Sequence, residues 1–120
     1  MMEPSPAVLV RAGIDRCWET ADYWTARGRP VTAMHYAEVA RRRAPDVPAP
    51  ALYDRITAEL AAEREKVFRA LPWAETWLPH EVAHKARVRV ADTRVHLDAL
   101  AAAGLAKVYG TGYRSRRYCR

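Results

Sequence analysis

Residues 81–120 read EVAHKARVRVADTRVHLDALAAAGLAKVYGTGYRSRRYCR, and their spacing decides the fold. Pro79, just ahead of the stretch, suits the first position of a helix, where its missing N–H would have no partner in any case. A short helix is therefore predicted over 79–86, followed by a tight turn at Arg87, Val88 and Arg89. A second helix is predicted over 91–103, ended by Gly104. Lys107-Val108-Tyr109 and Arg116-Arg117-Tyr118-Cys119 flank a Gly-Thr-Gly-Tyr-Arg-Ser tip, the pattern of a β-hairpin. Trp77-Leu78 reads as one further short strand. Two closely crossing helices need a small residue at the crossing, an apolar plug in the turn and an apolar inward face on the second helix. Ala83, Val88 and Leu97 with Leu100 meet these needs, with Thr93 one turn before Leu97 and Leu105 expected to close the core. This is helix-turn-helix spacing. It leaves Ala91, Asp92, Arg94, Val95 and Asp98 on or near the free face of the second helix.

Working back toward the N-terminus, three more helices are predicted. The first spans 7–27, with Val10, Ile14, Cys17, Trp18, Ala21 and Trp24 at three- and four-residue spacing. Gly28 and Pro30 end it. The second lies within 31–44, running from near His35 to Arg43. Its Arg41, Arg42 and Arg43 stand at the C-terminal end, where cations complement the helix dipole. Pro45, Pro48 and Pro50 make a stiff turn. The third runs from Ala51 to Leu71 on a stripe of Leu52, Ile56, Leu60, Val67, Phe68 and Leu71, and Pro72 stops it.

The chain has 120 residues, enough for one domain or two small ones sharing a core and too few for an eight-fold β/α barrel. Half of the residues are hydrophobic, which argues against wholesale disorder. Cys17 and Cys119 are far apart and form no CxxC pair, so neither a disulfide scaffold nor a Cys-rich zinc site is expected. The start, MMEPSPAVLVRAGIDR, has an acid and two prolines before a short apolar run, unlike a secretion signal. No apolar run approaches the ~20 residues of a membrane span. A cytoplasmic, nucleoid-associated protein without membrane contact is the expectation.

The net charge is +6, and it is unevenly placed. Residues 1–75 carry 11 basic and 11 acidic side chains. Residues 76–120 carry nine basic ones (Lys85, Arg87, Arg89, Arg94, Lys107, Arg114, Arg116, Arg117 and Arg120) against Glu81, Asp92 and Asp98. A field concentrated in this way attracts polyanions, nucleic acid foremost.

The segment VHLDALAAAGLAKVYG followed by RRYCR resembles the recognition helix and wing of winged helix-turn-helix regulators of bacterial transcription, of the arsenical-resistance-repressor and MarR-like types. The resemblance spans roughly residues 55–120. It implies a mainly α fold with a small β-hairpin wing, sequence-specific binding of double-stranded DNA, and a homodimer, in a regulator of bacterial, phage or plasmid origin. On that basis 1–50 is an N-terminal helical segment and 51–120 the winged helix-turn-helix domain. Helix 91–103 becomes the recognition helix, with Ala91, Asp92, Arg94 and Val95 toward the major groove. Residues 107–120 become the wing, with Tyr113, Arg114, Arg116 and Arg117 at the backbone or minor groove. Two departures stand out: Arg87 occupies a place where such turns often have glycine, and the metal-binding cysteine pair of the arsenical-type sensors is absent.

Each cation then has an expected role. Arg94 is the candidate for base readout, since an Arg bidentate to guanine discriminates by about 1–3 kcal/mol. Lys85, Arg87 and Arg89 are expected at phosphates, which position without reading sequence. Asp92 can accept from cytosine but also repels phosphate. His96 is expected to pack at the helix edge. No catalytic residue, metal site or cofactor is expected, and the protein is read as no enzyme. Two alternatives compete: a winged-helix module that binds protein, and a small zinc hydrolase on His80-Glu81-Val82-Ala83-His84, whose HExxH spacing lacks an evident third ligand. In the first half, Trp18, Tyr23 and Trp24 are anchors suited to dimerisation or another protein partner. Ala37-Glu38-Val39-Ala40 also echoes Glu81-Val82-Ala83, so residues 31–60 alternatively form a second, wingless helix-turn-helix with a turn two residues longer.

Overall fold

A computed structural model of the chain describes residues 6–112 and 115–120. Among them are five helices and one hairpin: α1 (Pro6–Ala26), α2 (Pro30–Arg43), α3 (Ala51–Ala70), α4 (Pro79–Ala86), α5 (Val90–Ala102), β1 (Lys107–Tyr109) and β2 (Arg117–Cys119). The protein is mainly helical with a small antiparallel hairpin, as the sequence predicts. No described helix is long and apolar enough to cross a membrane. The chain forms two compact units, residues 1–60 and 61–120. Their division falls inside α3, not in the proline turn before it.

In the first unit Ala21 of α1, Ala33 and Ala37 of α2 and Ile56 of α3 are buried together. Alanines let the α1 and α2 backbones approach, and Trp18, Trp24, Tyr36 and Leu52 pack around them. The anchors expected at a partner surface are thus divided: Trp18 and Trp24 pack on this core, while Tyr23 stays exposed beneath the Arg27 guanidinium. One boundary differs from expectation. α2 starts at Pro30, not near His35. Gly28 takes a left-handed φ of 70°, which returns the Arg29 N–H to the Trp24 carbonyl at 3.0 Å. The turn is complete in so few residues that Pro30 serves as first helical residue instead of a stop. Residues 44–50 separate α2 from α3, against 87–89 between α4 and α5. The three prolines hold the former open, so the echo of the later motif has a much longer turn.

The core of the second unit gathers Val67 and Leu71 of α3, Val82 and Ala86 of α4, Leu97 and Leu100 of α5, then Ala106 and Tyr118. Val88 packs against it from the turn, and Ala83 is buried. The hairpin pairs Lys107 with Cys119, Val108 with Tyr118 and Tyr109 with Arg117. On the far side of β2, Trp77 and Tyr118 exchange both backbone hydrogen bonds, at 3.0 and 2.8 Å. The expected strand at Trp77-Leu78 is therefore a single bridge, cut short because Pro79 opens α4 two residues later.

Leu105 corrects an expectation: it is 55% exposed, and Ala106 faces the core instead. Gly104 has φ 75°, and the N–H groups of both Leu105 and Ala106 return to the Leu100 carbonyl, which turns Leu105 outward.

Three helices end in the same manner, with a left-handed residue and a six-to-one hydrogen bond across it. The bonds are Arg29 to Trp24, Val88 to Ala83 and Leu105 to Leu100. The left-handed residue is Gly28 after α1 and Gly104 after α5, but Arg87 after α4, with φ 59° and ψ 43°. A side chain in this region costs ~1–2 kcal/mol, partly offset because glycine loses more freedom on folding. Arg87→Gly is expected to stabilise the second unit by about 0.5–1 kcal/mol. Thermal or urea unfolding of variant and parent checks this, and a lowered midpoint would contradict the strain.

Candidate nucleic-acid interface

The cations of the second unit divide by what they touch. Several are occupied. Arg64 Nε donates to His96 Nδ1 at 3.4 Å, and Arg69 pairs with Glu65 at 2.7 Å. Arg117 donates to the Thr76 carbonyl at 3.1 Å. Arg120 donates to the carbonyls of Leu71 and Arg69, with its guanidinium over the Trp73 ring at 4.5 Å. Arg120 thus closes the open C-terminal end of α3. Arg116 is half-buried, its guanidinium at the Tyr118 hydroxyl.

Lys85, Arg87, Arg89 and Lys107 are different. All four are exposed, and none has a side-chain hydrogen bond or ion pair to another described residue. Lys85 lies in the last turn of α4, Arg87 is the strained turn residue, and Arg89 immediately precedes α5. Among the described residues, three of these four cations therefore stand where α5 begins. The acids have partners of their own. Glu63 contacts His96, Glu65 holds Arg69, Glu75 accepts from Trp77 Nε1, Glu81 accepts from the Leu78 N–H, and Asp98 accepts from the Tyr118 hydroxyl.

On α5 the inward set is Thr93, Leu97 and Leu100, as the spacing predicts, and Ala91, Val95 and Asp98 are exposed. Asp92 corrects an expectation. It is 5% exposed, so it does not lie on the free face. Asp92 stands four residues before the fully buried His96, on the same side of α5, and in the first turn, where a carboxylate complements the helix dipole. Arg94 is half-buried. Tyr113 and Arg114 lie outside the described residues.

His96 is not at the helix edge. It is fully buried, with Nε2 2.9 Å from Glu63 Oε1 and Nδ1 facing Arg64 Nε. Because Arg64 can only donate, Nδ1 is the acceptor and Nε2 carries the proton donated to Glu63. These bonds tie α5 to α3. Asp98 and Tyr118, at 3.2 Å, tie it to β2. Burial foremost, then the Asp98 charge and hydrogen bond, push the Tyr118 hydroxyl above its ordinary pKa, against a smaller opposing effect of Arg116. A raised folded-state value for an acid means the contribution is present below pH ~10 and is lost as pH rises through the folded value.

The HExxH segment lies on α4 with His80 and His84 exposed. Glu81, which a hydrolase would need as base, is engaged at the helix N-terminus by the Leu78 N–H at 3.0 Å. Among the described residues no three His, Cys, Asp or Glu side chains are placed to hold a metal ion together.

The chain matches no family model, no curated protein and no solved structure with which it was compared.

Proposed function

We propose that residues 61–120 form a winged helix-turn-helix that binds double-stranded DNA, with α5 in the major groove and the hairpin as wing. The observation that carries this reading is the cluster of exposed cations Lys85, Arg87 and Arg89 where α5 begins, none of them partnered among the described residues. A non-glycine residue held in a left-handed turn is a strained choice, and such strain is retained where the side chain has a task. Arg87 in that role holds a phosphate. The buried set of Ala83, Thr93, Leu97 and Leu100 supports the same reading, because it leaves the other side of α5 open to a groove. The role that follows is sequence-specific control of transcription or a related DNA transaction, by a homodimer whose two α5 helices stand about one DNA turn, ~34 Å, apart.

The test is duplex binding across salt concentrations, with a random duplex and the duplex upstream of the chain's own gene. Four to six phosphate contacts give a log–log slope of roughly −4 to −5. A slope near zero contradicts the proposal. The second reading, a module that binds protein, is favoured by one observation: Leu105, Val108 and Tyr109 are all exposed along β1 and the link before it. Capture of a partner that survives nuclease treatment, with no duplex binding at low salt, would select it.

A further inference from the structure

We infer that α5 recognises thymine by its 5-methyl group, with Val95 as the contacting residue. The inference rests on the DNA-binding reading above and names the base that reading leaves open. The outward positions near the start of α5 are Val90, 37% exposed, Ala91, and Val95, 46% exposed. Of the polar side chains beside them, Asp92 is buried and Arg94 half-buried. Asp98, one turn further along, is exposed and accepts from the Tyr118 hydroxyl. The start of α5 therefore offers a groove the methyl groups of Val90, Ala91 and Val95, with the Asp98 carboxylate beyond them.

All four base pairs present hydrogen-bonding atoms in the major groove, but thymine alone adds an apolar group. A valine set over guanine or cytosine would strip water from polar atoms and replace none of their hydrogen bonds. Over thymine it buries methyl against methyl. Charge complementarity identifies the occupant of this face as DNA. The apolar row is preceded directly by Arg87 and Arg89, with Lys85 one turn back, and among the described residues all three lack partners. A polyanion is the surface that matches cations and an apolar strip in that order.

The experiment uses the full chain. Duplexes are enriched from a random-sequence pool, and each thymine of the enriched duplex is replaced in turn by deoxyuridine, which removes only the methyl. For the parent protein, one or two such positions are expected to lower affinity about fourfold each, the size of one buried methyl. In Val95→Ser the same replacement is expected to change affinity less than about twofold, while thermal stability stays at the parent value because the position is exposed. Two results overturn the inference and leave DNA binding standing: no uridine position matters, or the penalty persists undiminished in Val95→Ser. If no duplex is enriched even at low salt, the DNA-binding reading fails and the inference fails with it.

Discussion

On the DNA-binding reading, replacing Lys85, Arg87 and Arg89 together by glutamine is expected to lower affinity for every duplex by a factor on the order of 10²–10³ at 0.1 M salt. The number follows from counterion release. Each neutralised phosphate contributes about 0.9 to the log–log slope, or nearly tenfold in affinity at 0.1 M, and three contacts multiply. The slope should flatten by about 2.7. Glutamine keeps length and hydrogen-bonding capacity, so lost charge is what is measured. Arg87→Gln retains the left-handed strain, and all three positions are exposed, so stability should move by less than about 0.5 kcal/mol. The same substitution at Arg120 should behave in the opposite way. That residue satisfies the last carbonyls of α3 and stacks on Trp73, so its loss should weaken the fold more than the binding. If the triple variant binds as the parent does, the electrostatic site is elsewhere. The exposed Lys107 and the hairpin would then be the next place to look.

This division of the cations was not legible in the sequence, although the helices were. The inward places of Ala83, Val88 and Leu97 follow from their spacing because helical geometry fixes which side each faces. The charge bias toward the last 45 residues was equally plain. Which cations are free, however, depends on partners distant in sequence. Arg117 is held by a carbonyl 41 residues away and Arg120 by one 49 away, and no local pattern announces either. His96 shows the same limit. Its partners Glu63 and Arg64 sit on α3, and their own periodicity marks them as part of a wet face. Asp92 and Leu105 depart from the expected sides for more local reasons. Asp92 lies on the side of α5 that buries His96 four residues later, and Leu105 follows the left-handed Gly104, which turns it outward.

Leu97→Ala is expected to cost the second unit about 3–4 kcal/mol, the middle of the range for emptying a buried leucine site. Leu97 is fully buried on α5, in the same cluster as Val67 and Leu71 of α3 and Val82 of α4. The neighbours cannot easily collapse into the space. Val82 and Leu71 are themselves fully packed, and His96 beside Leu97 is held by Glu63 and Arg64. A unit of this size has little stability in reserve, since small domains bury a smaller share of their surface. The urea midpoint should fall sharply with the m-value unchanged. Val95→Ala, two residues away on the exposed side, is the internal control and should stay within about 0.5 kcal/mol of the parent. On the DNA-binding reading, the two variants also separate in function. Leu97→Ala should bind with the parent's salt slope at temperatures where it is folded, and lose binding as it melts. Val95→Ala should keep its stability and lose discrimination among sequences. A loss under about 1 kcal/mol for Leu97→Ala would mean that α5 is not seated on α3 and α4 through this residue. The assignment of its opposite side to a groove would then lose its structural basis.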